Sequence, residues 1–141
     1  MKQTALVKVD SKGRITIPLT MREAIGIEPG MLMAIIADID KKEIIVTPIF
    51  TNKGEIYEIE VVLVDRPGAM AKVTDALARE NVDIIASRCT TVMRGVEGSC
   101  IMIVDLSRSS VDVEKLKNIL SQIDVVTQVK VKKFETTAAA I

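Results

Sequence analysis

Apolar and polar positions alternate, break and alternate again along this chain, and the breaks fall on turn residues. Ala5 to Val9 alternates enough for a short strand. Ser11-Lys12-Gly13 is a turn that Gly13 closes with a positive φ. Arg14 to Ile17 then puts Arg and Thr on one face and two Ile on the other, a half-buried strand that Pro18 ends by removing a ladder donor. Thr20-Met21-Arg22-Glu23 fits a capping box at a helix start, and Gly26 with Pro29-Gly30 stops that helix early. Met31 to Ala37 and Glu43 to Pro48 read as a hairpin turning at Asp40-Lys41-Lys42. Residues 1–50 thus predict strand, strand, short helix, strand, strand.

The pattern changes after a short polar link, Thr51-Asn52-Lys53-Gly54 within 51–55, which couples two units closely. Residues 56–64 alternate into a buried Val-Leu-Val end and predict a strand. Gly68 to about Glu80 carries Met70, Val73 and Leu77 on one helical stripe. Asp83 to Arg94 and Ser99 to Leu106 predict a hairpin around Gly95-Val96-Glu97-Gly98. Ser109 or Ser110 is placed to cap a second helix in which Val113, Leu116, Leu120 and Ile123 repeat at helical spacing. Val125 to Phe134 supplies a last strand with cations at Lys130 and Lys132. The order βαββαβ over 56–135 is that of a ferredoxin-like plait, and 136–141 reads as a frayed tail. The fold class is mixed β and α+β.

Composition narrows what these units can be. Apolar residues make up 48% of 141 and aromatics 2%, with no Trp, so the core must be aliphatic. A unit near 50 residues with so little helix cannot bury much alone, which predicts an obligate dimer through the first unit. The longest apolar run, Met31 to Ala37, is far short of the ~20 residues a membrane span needs. No basic leader with a cleavage site opens the chain, so a soluble cytoplasmic protein without membrane contact is expected.

Lys plus Arg and Asp plus Glu stand at 19 each, so position matters more than net charge. Residues 1–22 hold Lys2, Lys8, Lys12, Arg14 and Arg22 against Asp10 alone, a patch that fits phosphates or is simply a solvated face. Histidine is absent, which removes Ser-His and Cys-His pairs and argues against an enzyme. With Gly95 to Gly98 as the turn, Arg94 faces Ser99 and Cys89 falls near Val104. Cys89 and Cys100 are therefore expected to be two buried thiols, not a disulfide, and they make a poor metal set. No metal or cofactor is expected.

Val9-Asp10 to Pro18, Met21-Arg22-Glu23, Gly26-Ile27, Pro29-Gly30 and Val46-Thr47-Pro48 together resemble the AbrB/SpoVT/MazE swapped-hairpin DNA-binding domain over most of residues 4–49. The resemblance implies a small β-barrel formed by two interleaved chains, and contacts to double-stranded DNA from Lys8, Arg14 and Arg22, with Lys12 and Lys2 as auxiliaries. A two-stranded ribbon fits the major groove, and Arg bridges guanine or grips phosphate. Without a partner, Arg14 reads as a surface strand residue and Lys12 as a turn-solubilising charge. Glu23 stands where some members carry a further cation.

Val64-Asp65-Arg66-Pro67-Gly68-Ala69-Met70, followed by Leu77 to Ile84, resembles the ACT domain over 56 to about 134. The resemblance implies an amino acid or other small metabolite bound between two copies, or simple subunit pairing. Candidate ligand residues are Asp65, Pro67, Gly68, Ala69, Met70 and Asp83. Gly68 opens a helix whose free amides suit a carboxylate. Asp65 either meets a ligand ammonium or caps those amides; Met70 reads as core and Arg66 as solvated. Some members carry Asn where this chain has Asp65 and Asp83.

These readings converge on a DNA-binding transcription regulator, a homodimer or a tetramer, whose second unit senses amino acids or related metabolites. Two other classes compete: a MazE-like antitoxin, disfavoured because a folded unit replaces an acidic tail, and a regulatory subunit paired with a metabolic enzyme.

Overall fold

The computed structural model describes residues 1–50 and 54–134. The link residues Thr51 to Lys53 and the tail 136–141 lie outside the described residues. The chain divides into two compact units, 1–32 and 33–141.

In the first unit the turn forms as expected: Gly13 sits at φ 79, its N–H donates to Asp10 O, and the Asp10 N–H donates to Arg14 O. The two flanking segments, however, form no strand ladder within a single chain. Leu6, Val9 and Ile15 remain exposed, because nothing in one copy of 1–32 offers them an apolar surface. Helix α1 (Leu19–Ile25) starts one residue before the expected cap. Pro18 occupies the N-cap position, its carbonyl accepts from Met21 and Arg22 N–H, and no side chain caps the helix. The Thr20–Glu23 capping box is therefore not made: Thr20 is already inside the first turn. Gly26 at φ 87 ends α1 as expected.

The second unit opens with the expected hairpin, β1 (Met33–Asp38) and β2 (Glu43–Pro48). A four-stranded antiparallel sheet follows, built from β3 (Ile56–Val64), β4 (Asp83–Met93), β5 (Glu97–Asp105) and β6 (Val126–Lys133) in the order β4-β5-β3-β6. Helices α2 (Ala69–Arg79) and α3 (Val113–Ser121) complete the plait. Its helix-side core takes alternate strand residues, Ile59, Val61, Leu63 from β3 and Cys100, Met102, Val104 from β5. The helices contribute Ala69, Val73, Leu77, Leu116 and Leu120 at helical spacing. A smaller cluster on the other sheet face joins Ala34, Ile36 and Ile49 to Ile56 and Ile103, so one face of the β1–β2 hairpin packs on this sheet.

Three local expectations change. Asp112, not Ser109 or Ser110, caps α3 by accepting from Lys115 N–H, while the Ser110 hydroxyl bonds Glu80. The β4–β5 turn is Arg94-Gly95-Val96, tighter than expected, with bulges near Ile85 and Val92. That register sets Cys89 directly opposite Cys100, and the two form a disulfide, not two thiols. On β6, Lys130 and Lys132 stand opposite Glu60 and Glu58, so the last strand's cations face carboxylates across the ladder.

Candidate functional site

The first candidate region is the cationic turn. Asp10 organises it: Oδ1 accepts from the Lys12 and Arg14 N–H groups at 2.9 Å each, and Oδ2 accepts from Arg14 Nε at 2.7 Å. The Arg14 N–H foremost, then its guanidinium, holds the Asp10 carboxyl below its ordinary range. The lone anion of this stretch is thereby spent on shaping the turn. Arg14 remains 70% exposed. Lys8 and Lys12 are exposed too. Arg22 is half-buried and its Nε donates to Ile17 O at 2.9 Å, pinning α1 to the preceding segment. Arg22 thus has a structural task that the sequence did not reveal, and the hydrogen bonds to Asp10 bring Lys12 and Arg14 together on the turn.

The second region lies where β3 meets α2. Gly68 takes φ 84 at the N-cap of α2, and no side chain caps the helix. Asp65 does not cap it either: its Oδ2 accepts from Gly95 N–H at 2.7 Å, tying the β3–α2 loop to the β4–β5 turn. Asp65 and Met70 line a cleft of ≈ 140 Å³ whose far wall is Cys89, Thr91 and Cys100. Sites for drug-sized ligands are roughly 300–1,000 Å³. This cleft is therefore too small to enclose a drug-sized ligand by itself. Pro67 and Gly68 are exposed, Ala69 is buried in the helix-side core, and Met70 packs partly against that core. Arg66 is not simply solvated; with Lys72 it pairs with Asp124, whose carboxyl is held low chiefly by Lys72.

Asp83 does not join this cleft. It starts β4 opposite Asp105, which itself stands opposite Ile56, whereas Asp65 follows the other end of β3. Asp83 lines a separate, wider hollow of ≈ 1210 Å³ with Asp105 and Arg108. The reason is topological: α2 returns the chain along the whole sheet, so residues at its two ends cannot meet.

Sequence reasoning missed an ion-pair cluster between the hairpin and the plait. Arg88 on β4 donates from Nε to Asp38 at 3.0 Å and pairs with Glu43 through Nη2. The Asp38 side chain is 7% exposed and also accepts from Lys41 N–H, which with Arg88 lowers its pKa. Asp38 lies on the hairpin face that carries Ala34 and Ile36, so it extends that row to the sheet. Only its parity with those apolar positions hinted at this.

Among the described residues, no group of three or more His, Cys, Asp or Glu is placed to hold a metal, and no helix is long and apolar enough to cross a membrane. Residues 6–53 match the family described as antidote-toxin recognition MazE, bacterial antitoxin, and residues 57–125 match the ACT domain. No curated protein matches the chain. Among solved structures, the chain is similar to one from the CheA P2 domain of a chemotaxis kinase in complex with response regulator CheY, from the thermophile Thermotoga maritima. That match is 20% identical, covers 57% of this chain and 98% of that one, and has a TM-score of 0.42.

Proposed function

On the footing that this chain joins a MazE/AbrB-like domain to an ACT domain, we propose that it is a dimeric DNA-binding transcription regulator whose second domain senses an amino acid or similar small metabolite. The observation that carries the reading is the Asp10–Arg14 turn. It holds Arg14 70% exposed while its one carboxylate is spent on backbone amides and that arginine. Around it, Leu6, Val9 and Ile15 are exposed in a single chain, as expected of a surface meant to be covered by a second copy. Two such turns, one per copy, would present Lys8, Lys12 and Arg14 to duplex DNA, phosphate contacts setting position and any arginine–guanine contact setting sequence. Arg22 contributes by anchoring α1 behind the turn.

The effector site is the loop Asp65 to Met70 with the cleft beside it. The uncapped α2 amides favour a ligand carboxylate, and Asp65 a ligand ammonium. The small size of the cleft favours a site shared by two copies. Ligand binding there would alter DNA affinity, typically by ~5–150-fold for coupled sites.

The test is fluorescence anisotropy on duplex DNA across a salt series, repeated with a panel of amino acids. Arg14→Ala should weaken retention at least ~10-fold, the loss of a good arginine contact, with dimer mass unchanged. Equal affinity for wild type and variant removes the DNA reading. Equal affinity with and without every amino acid removes the sensor reading alone. The MazE family description also supports a second reading, an antitoxin. What favours the regulator is that a folded plait follows residue 53, where a toxin-wrapping extended segment would be needed.

A further inference from the structure

The geometry points to the Cys89–Cys100 pair as a reversible thiol-exchange site in the wall of the β3–α2 cleft, taking low-molecular-weight thiols and their disulfides as co-reactants. Three observations carry this. The pair stands directly opposite on β4 and β5, so the bond can open and close with the ladder kept. Cys89 is exposed on an edge strand, whereas Cys100 is 1% exposed in the core. An entering thiol therefore has one sulfur to attack and a shielded one to expel. Finally, the bond links residues 11 apart within one hairpin whose ladder already pairs the two strands on either side of it, so the strand pairing does not depend on the bond.

The exchange balances without any other reagent. A thiolate attacks Cys89 Sγ, the Cys89–Cys100 bond breaks, and the electron pair leaves on Cys100 Sγ, which takes a proton from water. A second thiolate attacks the small-molecule sulfur of the mixed disulfide, expelling the Cys89 thiolate. In total, two small thiols are oxidised to one disulfide while the protein disulfide becomes two thiols. The reverse sequence closes the bond again. Both cysteines are among the residues that line the cleft, so the exchange changes its wall from one bonded pair to two separate thiols. Arg88, the neighbouring β4 residue, grips the β1–β2 hairpin from the opposite sheet face, which sets the exchange beside that ion-pair cluster.

This inference does not rest on the DNA or effector readings. The test equilibrates the full chain in a series of reduced and oxidised glutathione ratios, quenches with iodoacetamide and counts labels by intact mass. Passage from zero to two labels, at the same midpoint from both directions, is the expected result. In separate single variants, Cys100→Ser should accept one glutathione at Cys89, and the Cys100 thiol of Cys89→Ser should alkylate at least ~10-fold more slowly than that Cys89 thiol. A wild-type bond that stays closed at every ratio, or thiols that oxidised glutathione never rejoins, would overturn the proposal. So would equal alkylation rates in two variants whose circular dichroism matches wild type.

Discussion

Asp38 shows how much a single carboxylate can be asked to do. It is nearly enclosed, accepts from Lys41 N–H and from Arg88, and its pKa is lowered from 3.8, the Lys41 amide contributing most and Arg88 next. A group whose folded pKa is depressed stabilises the fold above its unfolded value, and that stabilisation disappears as pH falls through the folded one. Urea unfolding measured from about pH 6 to about pH 3 should therefore show stability falling across the acid end. Asp38→Asn should be weaker at neutral pH and show a shallower acid loss. An identical acid slope in the variant would mean that other carboxylates carry the effect. Asp65 makes the same point for function: its carboxylate is already engaged by the Gly95 amide. A ligand at Asp65 must share or displace that bond.

At the scale of the element, α2 separates two kinds of cost. Gly68 lies at φ 84 with open space where a Cβ would stand, so Gly68→Ala meets no clash and pays for backbone conformation only, about 1–2 kcal/mol. Leu77 is fully buried on the same helix, and Leu77→Ala should cost about 2–5 kcal/mol through lost contacts and a cavity. Denaturant titrations of both variants check the order; a Gly68→Ala loss as large as that of Leu77→Ala would show that the loop's conformation holds more than itself. The β1–β2 hairpin is the counterpart among strands. One face packs Ala34 and Ile36 on the sheet, while the other leaves Ile35 63% and Ile44 68% exposed. A hairpin apolar on both faces needs a second covering surface.

For the whole molecule, the exposed apolar side chains of residues 1–50 predict association. Light scattering should return at least twice the 15.4 kDa chain mass at micromolar concentration. Val9, 68% exposed in one chain, discriminates: Val9→Asp is harmless on a free surface but should halve the mass and abolish DNA retention if Val9 is covered by a second copy. Dimeric mass and intact DNA retention in that variant would place the interface elsewhere. A monomeric wild type would remove the association claim altogether.

The order of elements in the plait, the stripe Val73–Leu77, the Gly13 turn and the hairpin at Asp40–Lys42 were all legible from the chain alone. Each depends on residues close in sequence: periodicity says which face is apolar, and Gly, Pro and Asp say where the backbone turns. The strands expected at Ala5–Val9 and Arg14–Ile17 show the limit, since an alternating pattern announces a strand without supplying its neighbour. Tertiary structure alone decided the register of β4 against β5. A three-residue turn and the bulge near Val92 shift that register, and with it Cys89 moved from Val104 to Cys100. The same holds for Asp65 on Gly95, Arg88 on Asp38, and the separation of Asp83 from the cleft. These pairings join residues far apart in sequence or depend on how many residues a turn consumes, and a strand's own pattern repeats every two residues whatever stands opposite it.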